Sequence, residues 1–268
     1  MGCLKLINKM GKHLKLLTSA YFEEYANALE ANWFETFSNL KIKKVFVNED
    51  FEYYVQSSAT YSSNIEGNSI DIDTYLKNKT FKVKSKPKEM TEIDDLIAAY
   101  NFAIDNKLTK SNFLKSHKIL SNNILSIKSQ KGKLRNQQVG IFSEGKLEYM
   151  AVEPEYLKEE FDKLFFDIKE LLKRDLSTKE IFYYAAMIHL LFEKIHPFMD
   201  GNGRAGRLLE KWFLAEKLGI GAWSIQSEKY YCKNKKIYYK NIHIGLNYYV
   251  LKMDRCVSFL LLLPKSIR

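Results

Sequence analysis

Apolar residues recur every three or four positions along most of the chain, which is the spacing of one face of an α-helix. Residues 13–40 follow this spacing and predict one or two helices. Two denser apolar runs, at residues 181–195 and 208–218, predict two further helices that directly flank a polar segment. The hydrophobic pattern therefore predicts a mainly helical protein.

Capping residues and prolines set the ends of the other predicted helices. These helices run from about Asp50 towards Gly67 and Asn68, from Asp73 to Asn78, from Thr91 onwards, from Thr109 to Leu125 and, after Pro154, from Glu155 to about Lys173. Ser177 is expected to cap the helix that ends at His196. The apolar residues 259–263 predict the buried end of a last helix, which Pro264 should stop.

One stretch departs from helical spacing. Residues 138–142 and 147–150 are rich in apolar side chains, and they flank Ser-Glu-Gly-Lys at residues 143–146. Two short strands around a glycine-containing turn are typical of a β-hairpin. We therefore expect a hairpin between the helix at Thr109 to Leu125 and the helix that follows Pro154.

The length and composition allow a full hydrophobic core, since the chain has 268 residues of which 46% are hydrophobic. Its best candidate boundary is the lysine-rich segment 79–88, which contains Pro87. We place the division there, between an N-terminal region at residues 1–86 and a second unit at residues 87–268.

The net charge of +10 would allow nucleic-acid binding, but the lysines are scattered and no recognition motif accompanies them. We therefore expect a solvated basic surface. Cys3, Cys232 and Cys256 are odd in number and far apart, which argues against disulfides and favours the cytoplasm. No apolar run reaches the ~20 residues that a membrane-spanning helix needs, so no membrane association is expected.

The chemistry is concentrated at residues 196–207, His-Pro-Phe-Met-Asp-Gly-Asn-Gly-Arg-Ala-Gly-Arg. Pro197 disfavours helical backbone at the residue before it, so the first flanking helix should stop at His196. Residues 200–203 then form a polar turn, and the next helix should begin at about Arg204. A helix N-terminus behind a glycine-containing turn attracts anions. This arrangement predicts a nucleotide-phosphate site.

Each polar side chain of this stretch fits one role at such a site. Arg204 and Arg207 lie three residues apart, so both can reach one polyphosphate. The single carboxylate of Asp200 suits Mg²⁺, which takes its other ligands from water and phosphate. His196 remains as the general base. A helix C-terminus favours the protonated imidazole, and we expect Arg204, Arg207 and the metal to lower its pKa again.

Residues 196–207 resemble the signature of the Fic family, His-Pro-Phe-x-(Asp or Glu)-Gly-Asn-Gly-Arg-x-x-Arg, at every fixed position. Residues 132–139, Gly-Lys-Leu-Arg-Asn-Gln-Gln-Val, look like the family's entry into a β-hairpin flap. Residues 62–67, Ser-Ser-Asn-Ile-Glu-Gly, look like its inhibitory motif, (Ser or Thr)-x-x-x-Glu-(Gly or Asn). The resemblance implies an all-α fold: a Fic-type helical core at residues 87–268 with a hairpin flap, and an N-terminal helical extension carrying the inhibitory motif.

The resemblance also implies an activity, the transfer of AMP from ATP, with Mg²⁺, to a Ser, Thr or Tyr hydroxyl of a target protein. Carried over by position, His196 takes the proton from that hydroxyl and Asp200 holds the metal. The phosphate-binding residues are Gly201, Asn202, Gly203, Arg204 and Arg207. Phe198 is expected to point into the core and anchor the loop.

Two further sets of residues follow from the same resemblance. The flap residues Val139, Gly140 and Ile141 are expected to pair main chain to main chain with an extended target segment, a mode that carries little sequence information. Tyr239 and Asn247 are the candidates for contacts with the nucleotide base. The target protein itself is not predicted.

The inhibitory motif comprises Ser62, Glu66 and Gly67. The resemblance implies that Glu66 pairs with Arg207 and keeps the γ-phosphate from its productive position. An arginine–carboxylate pair of this kind can be bidentate. We therefore expect the resting enzyme to be nearly silent.

Alternatives stay open at this point. The transferred group can be another nucleoside monophosphate or phosphocholine, or the same site can remove AMP with Glu66 aligning a water molecule. A non-enzymatic regulator that binds nucleotide or nucleic acid is the alternative from another class, although it would have no need of His196. Self-modification and a homodimer are also compatible with the sequence.

Overall fold

The computed structural model describes residues 13–40, 48–80, 87–143 and 145–267. Most of them are helical, and they include one two-stranded antiparallel sheet. In chain order the elements are α1 (Phe22–Asn27), α2 (Trp33–Asn39), α3 (Asn48–Ile65), α4 (Ile72–Thr80), α5 (Lys88–Ile104), α6 (Lys110–Leu120), β1 (Gly140–Ser143), β2 (Lys146–Met150), α7 (Pro154–Lys173), α8 (Thr178–Ile195), α9 (Asn202–Leu218), α10 (Ser227–Lys233), α11 (Lys235–Ile242), α12 (Val257–Leu260) and α13 (Leu262–Lys265). The expected helical fold with a hairpin is confirmed.

Helices α8 and α9 form the centre of the core. Every residue of α8 from 181 to 195 is buried, so this helix is covered by neighbours on all sides. It begins with a capping box in which Ser177 and Glu180 satisfy each other's main-chain N–H groups. Residues 204–214 of α9 are buried as well. Both ends of the loop between these two helices are therefore held by buried helices.

The N-terminal segment packs onto the same core. The carboxylate of Asp167 on α7 accepts hydrogen bonds from the main-chain N–H groups of residues 15–17, at 2.7, 2.7 and 2.8 Å. Trp33 of α2 packs edge-to-face against Phe182 of α8 and donates its indole N–H to the carbonyl of Pro264. The predicted boundary lies mostly on residues 81–86, outside the described residues, and stays a prediction.

Proline explains two element boundaries that the sequence placed wrongly. Helix α5 begins at Lys88 instead of Thr91, because Pro87 occupies the N-cap with extended backbone (φ −55°, ψ 154°) and needs no N–H partner there. Pro264 does not stop the last helix but lies inside α13. In the first turn of a helix the main-chain N–H has no partner, so proline is accommodated.

The hairpin has one covered side and one open side. Gly140 pairs with Met150 at its base, and the register shifts after Ile141. On the side of β2 away from β1, the N–H of Met150 donates to the carbonyl of Leu246, and Met150 forms a parallel bridge with Asn247. Among the described residues β1 has no strand neighbour on its other side. The free edge of β1 is therefore the side of the hairpin where an extended segment can pair.

Two bulk expectations bear on the described residues. Their helices include none with the combination of length and apolar character that crossing a bilayer requires. Cys232 is half-buried and Cys256 is buried, and both are free thiols. Cys3 lies outside the described residues.

Candidate active site

The loop between α8 and α9 begins with a change of backbone conformation at His196. Helix α8 ends at Ile195, and His196 takes left-handed backbone angles (φ 50°, ψ 62°) while its N–H still bonds to the carbonyl of Phe192. This turns the chain sharply before Pro197. The imidazole is consequently held at the C-terminal end of α8, as the proline predicted.

Asn202 closes the loop from within. Its side-chain oxygen accepts from the N–H of Phe198 at 2.9 Å, and its amide donates to the carbonyl of Phe198 at 2.9 Å. The sequence assigned Asn202 to phosphate binding, but this buried side chain has both polar groups committed to the loop. The main-chain N–H of Asn202, the first residue of α9, is the donor of this residue that remains for an anion.

Phe198 and His117 form the floor of the loop. Phe198 is buried, as expected, and its ring stacks on His117 of α6 at 3.5 Å between ring centroids. Nδ1 of His117 accepts from the N–H of Gly132, so its Nε2–H donates to the carbonyl of Asp200. Burial lowers the pKa of His117 to about 4, which favours this neutral form. His117 thus ties the loop to the segment that leads into the hairpin.

Arg135 is a support that the sequence reasoning missed, although it lies in the segment 132–139. Its buried guanidinium donates to the carbonyls of His196 at 2.8 Å and Ile195 at 3.4 Å, at the end of α8. It also donates to the carbonyls of Gln137 and Val152, on either side of the hairpin. One cation therefore satisfies the free carbonyls of a helix end and fixes the base of the flap.

The first turn of α9 and the residue before it, residues 201–204, line the cavity. Gly201 is the N-cap and has a φ of +80°, which lets the helix begin at Asn202, two residues earlier than predicted. Gly203 follows without a side chain. Arg204 points towards α5, where its Nη2 lies 3.5 Å from Oε2 of Glu92, a carboxylate that was not predicted. The turn has the expected features of an anion site.

Arg207 is fully buried, and the end of α3 surrounds its guanidinium. Nη2 donates to Oε1 of Glu66 at 2.7 Å, and Nε donates to the hydroxyl of Ser62 at 2.9 Å. Nη2 also reaches the carbonyl of Ser62, and Nη1 the hydroxyl of Tyr238. The pair with Glu66 is therefore made through one oxygen and is not bidentate. Gly67, with a φ of +99°, ends this segment directly after Glu66.

The charges at the site act on Glu66 and His196 in different ways. Burial would raise the pKa of Glu66, but the charge and hydrogen bond of Arg207 hold it below its ordinary value. Burial, and after it the charge of Arg135, lowers the pKa of His196 to about 4. The sequence expected Arg204, Arg207 and a metal to have this effect. A neutral imidazole can accept a proton.

These groups border one cavity of about 1070 Å³. Its lining includes Glu66, Gly67, Ile141, Phe142, His196, Asp200, Gly201, Asn202, Gly203, Arg204, Arg207 and Tyr239. The volume is sufficient for a nucleotide together with part of a second substrate. The predicted phosphate, inhibitory and proton-accepting residues therefore meet in one place, although they come from distant parts of the chain.

The outer predicted residues are divided between the cavity and its surroundings. Tyr239 lines the cavity and donates its hydroxyl to the carbonyl of Ile65. Asn247 does not line it, because its side-chain oxygen accepts from the N–H groups of Tyr249 and Val250 and caps a turn. Val139 bonds through its carbonyl to the N–H of Ala151, at the base of the hairpin. Of the three predicted flap residues, Val139, Gly140 and Ile141, Ile141 is the one on the cavity wall.

Asp200 is the residue at which a metal would fit. Its exposed carboxylate lies on the cavity wall, and Oδ1 accepts from the N–H of Gly201 at 2.6 Å. Within the described residues no cluster of three His, Cys, Asp or Glu side chains could hold a metal ion alone. A lone carboxylate beside an anion site suits Mg²⁺ that arrives with phosphate oxygens as its other ligands.

The chain is similar in sequence to known proteins of one family. A sequence model described as Fic, Fic/DOC family, matches residues 107–214. A probable protein adenylyltransferase of Aquifex aeolicus (strain VF5) is 40% identical over 57 residues, which are 21% of this chain and 18% of that relative.

Two solved structures share the fold. A Fic family protein from Desulfovibrio desulfuricans G20 superposes with a TM-score of 0.74 at 20% identity, over 96% of this chain and 75% of its own. A Fic domain containing signaling protein from Bacteroides thetaiotaomicron VPI-5482 gives a TM-score of 0.66 at 20% identity, over 88% of this chain and 94% of its own. At this level of identity the likeness shows the fold alone.

Proposed function

Since residues 107–214 form a Fic/DOC family domain, we propose that this chain is a protein adenylyltransferase, which transfers AMP from ATP to a Ser, Thr or Tyr hydroxyl of a protein. The observation that carries the proposal is the position of His196. Its neutral imidazole borders the same cavity as the first turn of α9, Arg204 and Arg207. A proton acceptor beside a cationic phosphate site is what attack of a hydroxyl on a phosphate requires.

The proposed reaction uses each group once. The target hydroxyl attacks the α-phosphate of ATP, its proton passes to His196, and pyrophosphate leaves. The N–H groups at the start of α9 and the two arginines stabilise the negative charge on the phosphates. Bound Mg²⁺, held by Asp200, would supply further positive charge to the phosphates. In the described conformation, the carboxylate of Glu66 opposes the binding of ATP phosphates at this site.

We infer that this conformation is the inhibited one. Glu66 takes up a donor of Arg207 that the γ-phosphate would need, and its carboxylate lies at the first turn of α9. Since two anions repel each other, ATP cannot place its γ-phosphate beside an ionised Glu66. Activity then requires Glu66 to leave.

The flap is the proposed docking site for the target. The free side of β1 can accept an extended segment by main-chain pairing. Ile141 and the exposed Phe142 lie on the cavity wall beside it. A segment paired there would pass close to His196, which also makes self-modification by a second copy possible.

Mass spectrometry tests the proposal directly. Wild type, Glu66→Gly and the double variant Glu66→Gly/His196→Ala are each incubated with ATP and Mg²⁺. We expect the Glu66→Gly protein to gain the mass of AMP, wild type to gain far less, and the double variant to gain none. Equal labelling of all three would overturn both the inhibition and the role of His196.

The alternatives are outcomes of the same experiment. Replacing ATP by other nucleoside triphosphates or by a phosphocholine donor shows whether the transferred group is AMP. If no donor supports transfer and the Glu66→Gly protein binds DNA in a salt-dependent way, the protein is a non-enzymatic binding regulator.

A further inference from the structure

Glu193 is a buried carboxylic acid that the proposed reaction leaves without a role. It lies on α8 one turn before His196, is 8% exposed and borders the cavity. Its Oε2 atom is 4.0 Å from Nδ1 of His196. Within the described part of the chain, Oε1 of Glu193 is buried without a hydrogen-bond partner, and Nδ1 of His196 is buried without a side-chain partner. The main-chain carbonyl of Glu193 acts as an acceptor for the imidazole and partly offsets the lowering of the His196 pKa by burial. A buried polar atom without a partner costs roughly 1–3 kcal/mol, so the unpaired carboxyl oxygen of Glu193 beside the imidazole requires a physical reason.

The packing holds this carboxyl group in place. A Cβ atom at Gly206 of α9 would come within 2.5 Å of Oε1 of Glu193, and within 3.1 Å of His189 and Phe192. Because position 206 has no side chain, the carboxyl group fits between α8 and α9. The glycine thus provides room for Glu193 directly beside the imidazole of His196.

We propose that Glu193 is the positioning residue of His196 in the adenylyl transfer proposed above, on which this inference rests. In the complex with substrates it accepts a hydrogen bond from Nδ1–H, which leaves the lone pair on Nε2 to take the proton of the target hydroxyl. The approach from 4.0 Å to a hydrogen bond is about 1 Å. Catalytic hydrogen bonds are often long without substrate and shorten when it binds. After transfer, the carboxylate stabilises the imidazolium.

The charges around Glu193 connect it to the inhibitory residue. Burial raises its pKa, while His189 and Lys194 of α8 and Arg207 of α9 lower it, and Glu66 at the end of α3 raises it. Departure of Glu66 removes a negative charge that disfavours ionised Glu193. The movement that frees Arg207 for phosphate therefore also favours the carboxylate that orients His196.

The test compares Glu193→Met with Glu193→Gln, both in the Glu66→Gly background. Methionine has a similar length and no strong acceptor, whereas glutamine keeps a neutral acceptor. We expect Glu193→Met to lower kcat for AMP transfer at least about 10-fold, a part of the roughly 10²–10⁴-fold that a general base contributes. The KM for ATP should stay the same. The thermal midpoint should not fall, because the substitution removes an unpaired buried group. Glu193→Gln should recover part of the rate.

A spectroscopic arm does not depend on activity. The ¹⁵N shifts of the His196 ring report its tautomer, in the free protein and with a non-hydrolysable ATP analogue and Mg²⁺. We expect the Nδ1–H form with Glu193 or glutamine, and a mixture of tautomers with methionine. The same tautomer in all three variants would overturn the proposal.

Glu159→Gln, an exposed change of the same charge on α7, is the control for both arms. If the Glu66→Gly protein transfers no AMP, the proposed function fails, while the ring shifts still decide the role of Glu193.

Discussion

Oε1 of Glu66 lies so close to Gly203 that a Cβ atom on that glycine would meet it at 2.2 Å. The inhibitory carboxylate therefore rests on bare main chain in the first turn of α9. This is the part of a helix where N–H groups are unpaired and anions bind. Glu66 consequently occupies part of the proposed phosphate site in addition to pairing with Arg207.

Gly203→Ala tests this double role. In the wild-type background the new methyl group should dislodge Glu66 and raise AMP transfer, but by less than Glu66→Gly does. In the Glu66→Gly background the same methyl group should lower the rate, because the γ-phosphate of ATP then needs the space beside Gly203. Initial rates are measured by mass spectrometry. Equal rates for Glu66→Gly and Glu66→Gly/Gly203→Ala would show that phosphate does not approach Gly203.

Ser62→Ala should weaken inhibition without abolishing it. The hydroxyl of Ser62 accepts from Nε of Arg207 at 2.9 Å, whereas the carbonyl contact and Glu66 remain. A hydrogen bond to a charged group contributes about 1.5–3 kcal/mol, so basal transfer, measured by mass spectrometry, should rise by roughly 10- to 100-fold at most.

The adjacent Ser63 provides the matched control for that measurement. It is also buried on α3, and its hydroxyl has no partner among the described residues. Ser63→Ala should leave basal transfer as it is. A similar rise in both variants would point to loosening of α3 instead of loss of the Arg207 contact.

Arg135→Met should destabilise the protein and loosen the flap. The change leaves four carbonyls without their donor, those of Gln137, Val152, Ile195 and His196. We expect a loss of about 3 kcal/mol or more in the free energy of unfolding, with faster amide exchange in β1. Urea titration against the exposed Lys133→Met control measures it, and a difference under about 0.5 kcal/mol would contradict the supporting role.

The stability should depend on pH through His117. Its pKa is about 4 in the folded protein and 6.5 ordinarily, so the unfolded chain takes up the proton first as the pH falls. The stabilisation is complete above pH 6.5 and is lost as the pH falls towards 4. At pH 5 the loss is about 2 kcal/mol for this residue.

His117→Gln isolates that contribution. Urea unfolding at pH 7 and pH 5 should show a smaller drop in stability for the variant than for wild type. His196 has a similarly lowered pKa and remains in both proteins, so the difference between the two drops belongs to His117. Parallel curves would contradict it.

The sequence predicted well those features that depend on neighbours in the chain. Ser177 and Glu180 lie within one turn, and together they set the start of α8. Pro197 set its end, and Gly67 the end of the α3 segment, through backbone preferences of single residues. The residue types of segment 196–207 alone predict a phosphate site, and the structure brings most of these residues to one cavity.

The missing parts join residues that are distant in sequence. His117 meets Asp200 across 83 positions, and Arg135 meets Ile195 across 60. No local pattern distinguishes such a histidine or arginine from a surface one. The side chains of Asn202 and Asn247 bond to main chain in the structure, which the sequence did not predict for a related reason, since an amide binds main chain as readily as ligand and only the tertiary packing decides.

Within residues 13–40, 48–80, 87–143 and 145–267, His196 is the one non-glycine residue with a positive φ. A left-handed conformation at such a residue costs roughly 1–2 kcal/mol. His196→Gly should therefore give a more stable fold than His196→Ala, by about 1 kcal/mol in urea titration, although neither can accept the proton. Selection for stability alone would favour glycine here, so the proposed proton acceptor stands at a position where it lowers the stability of the fold.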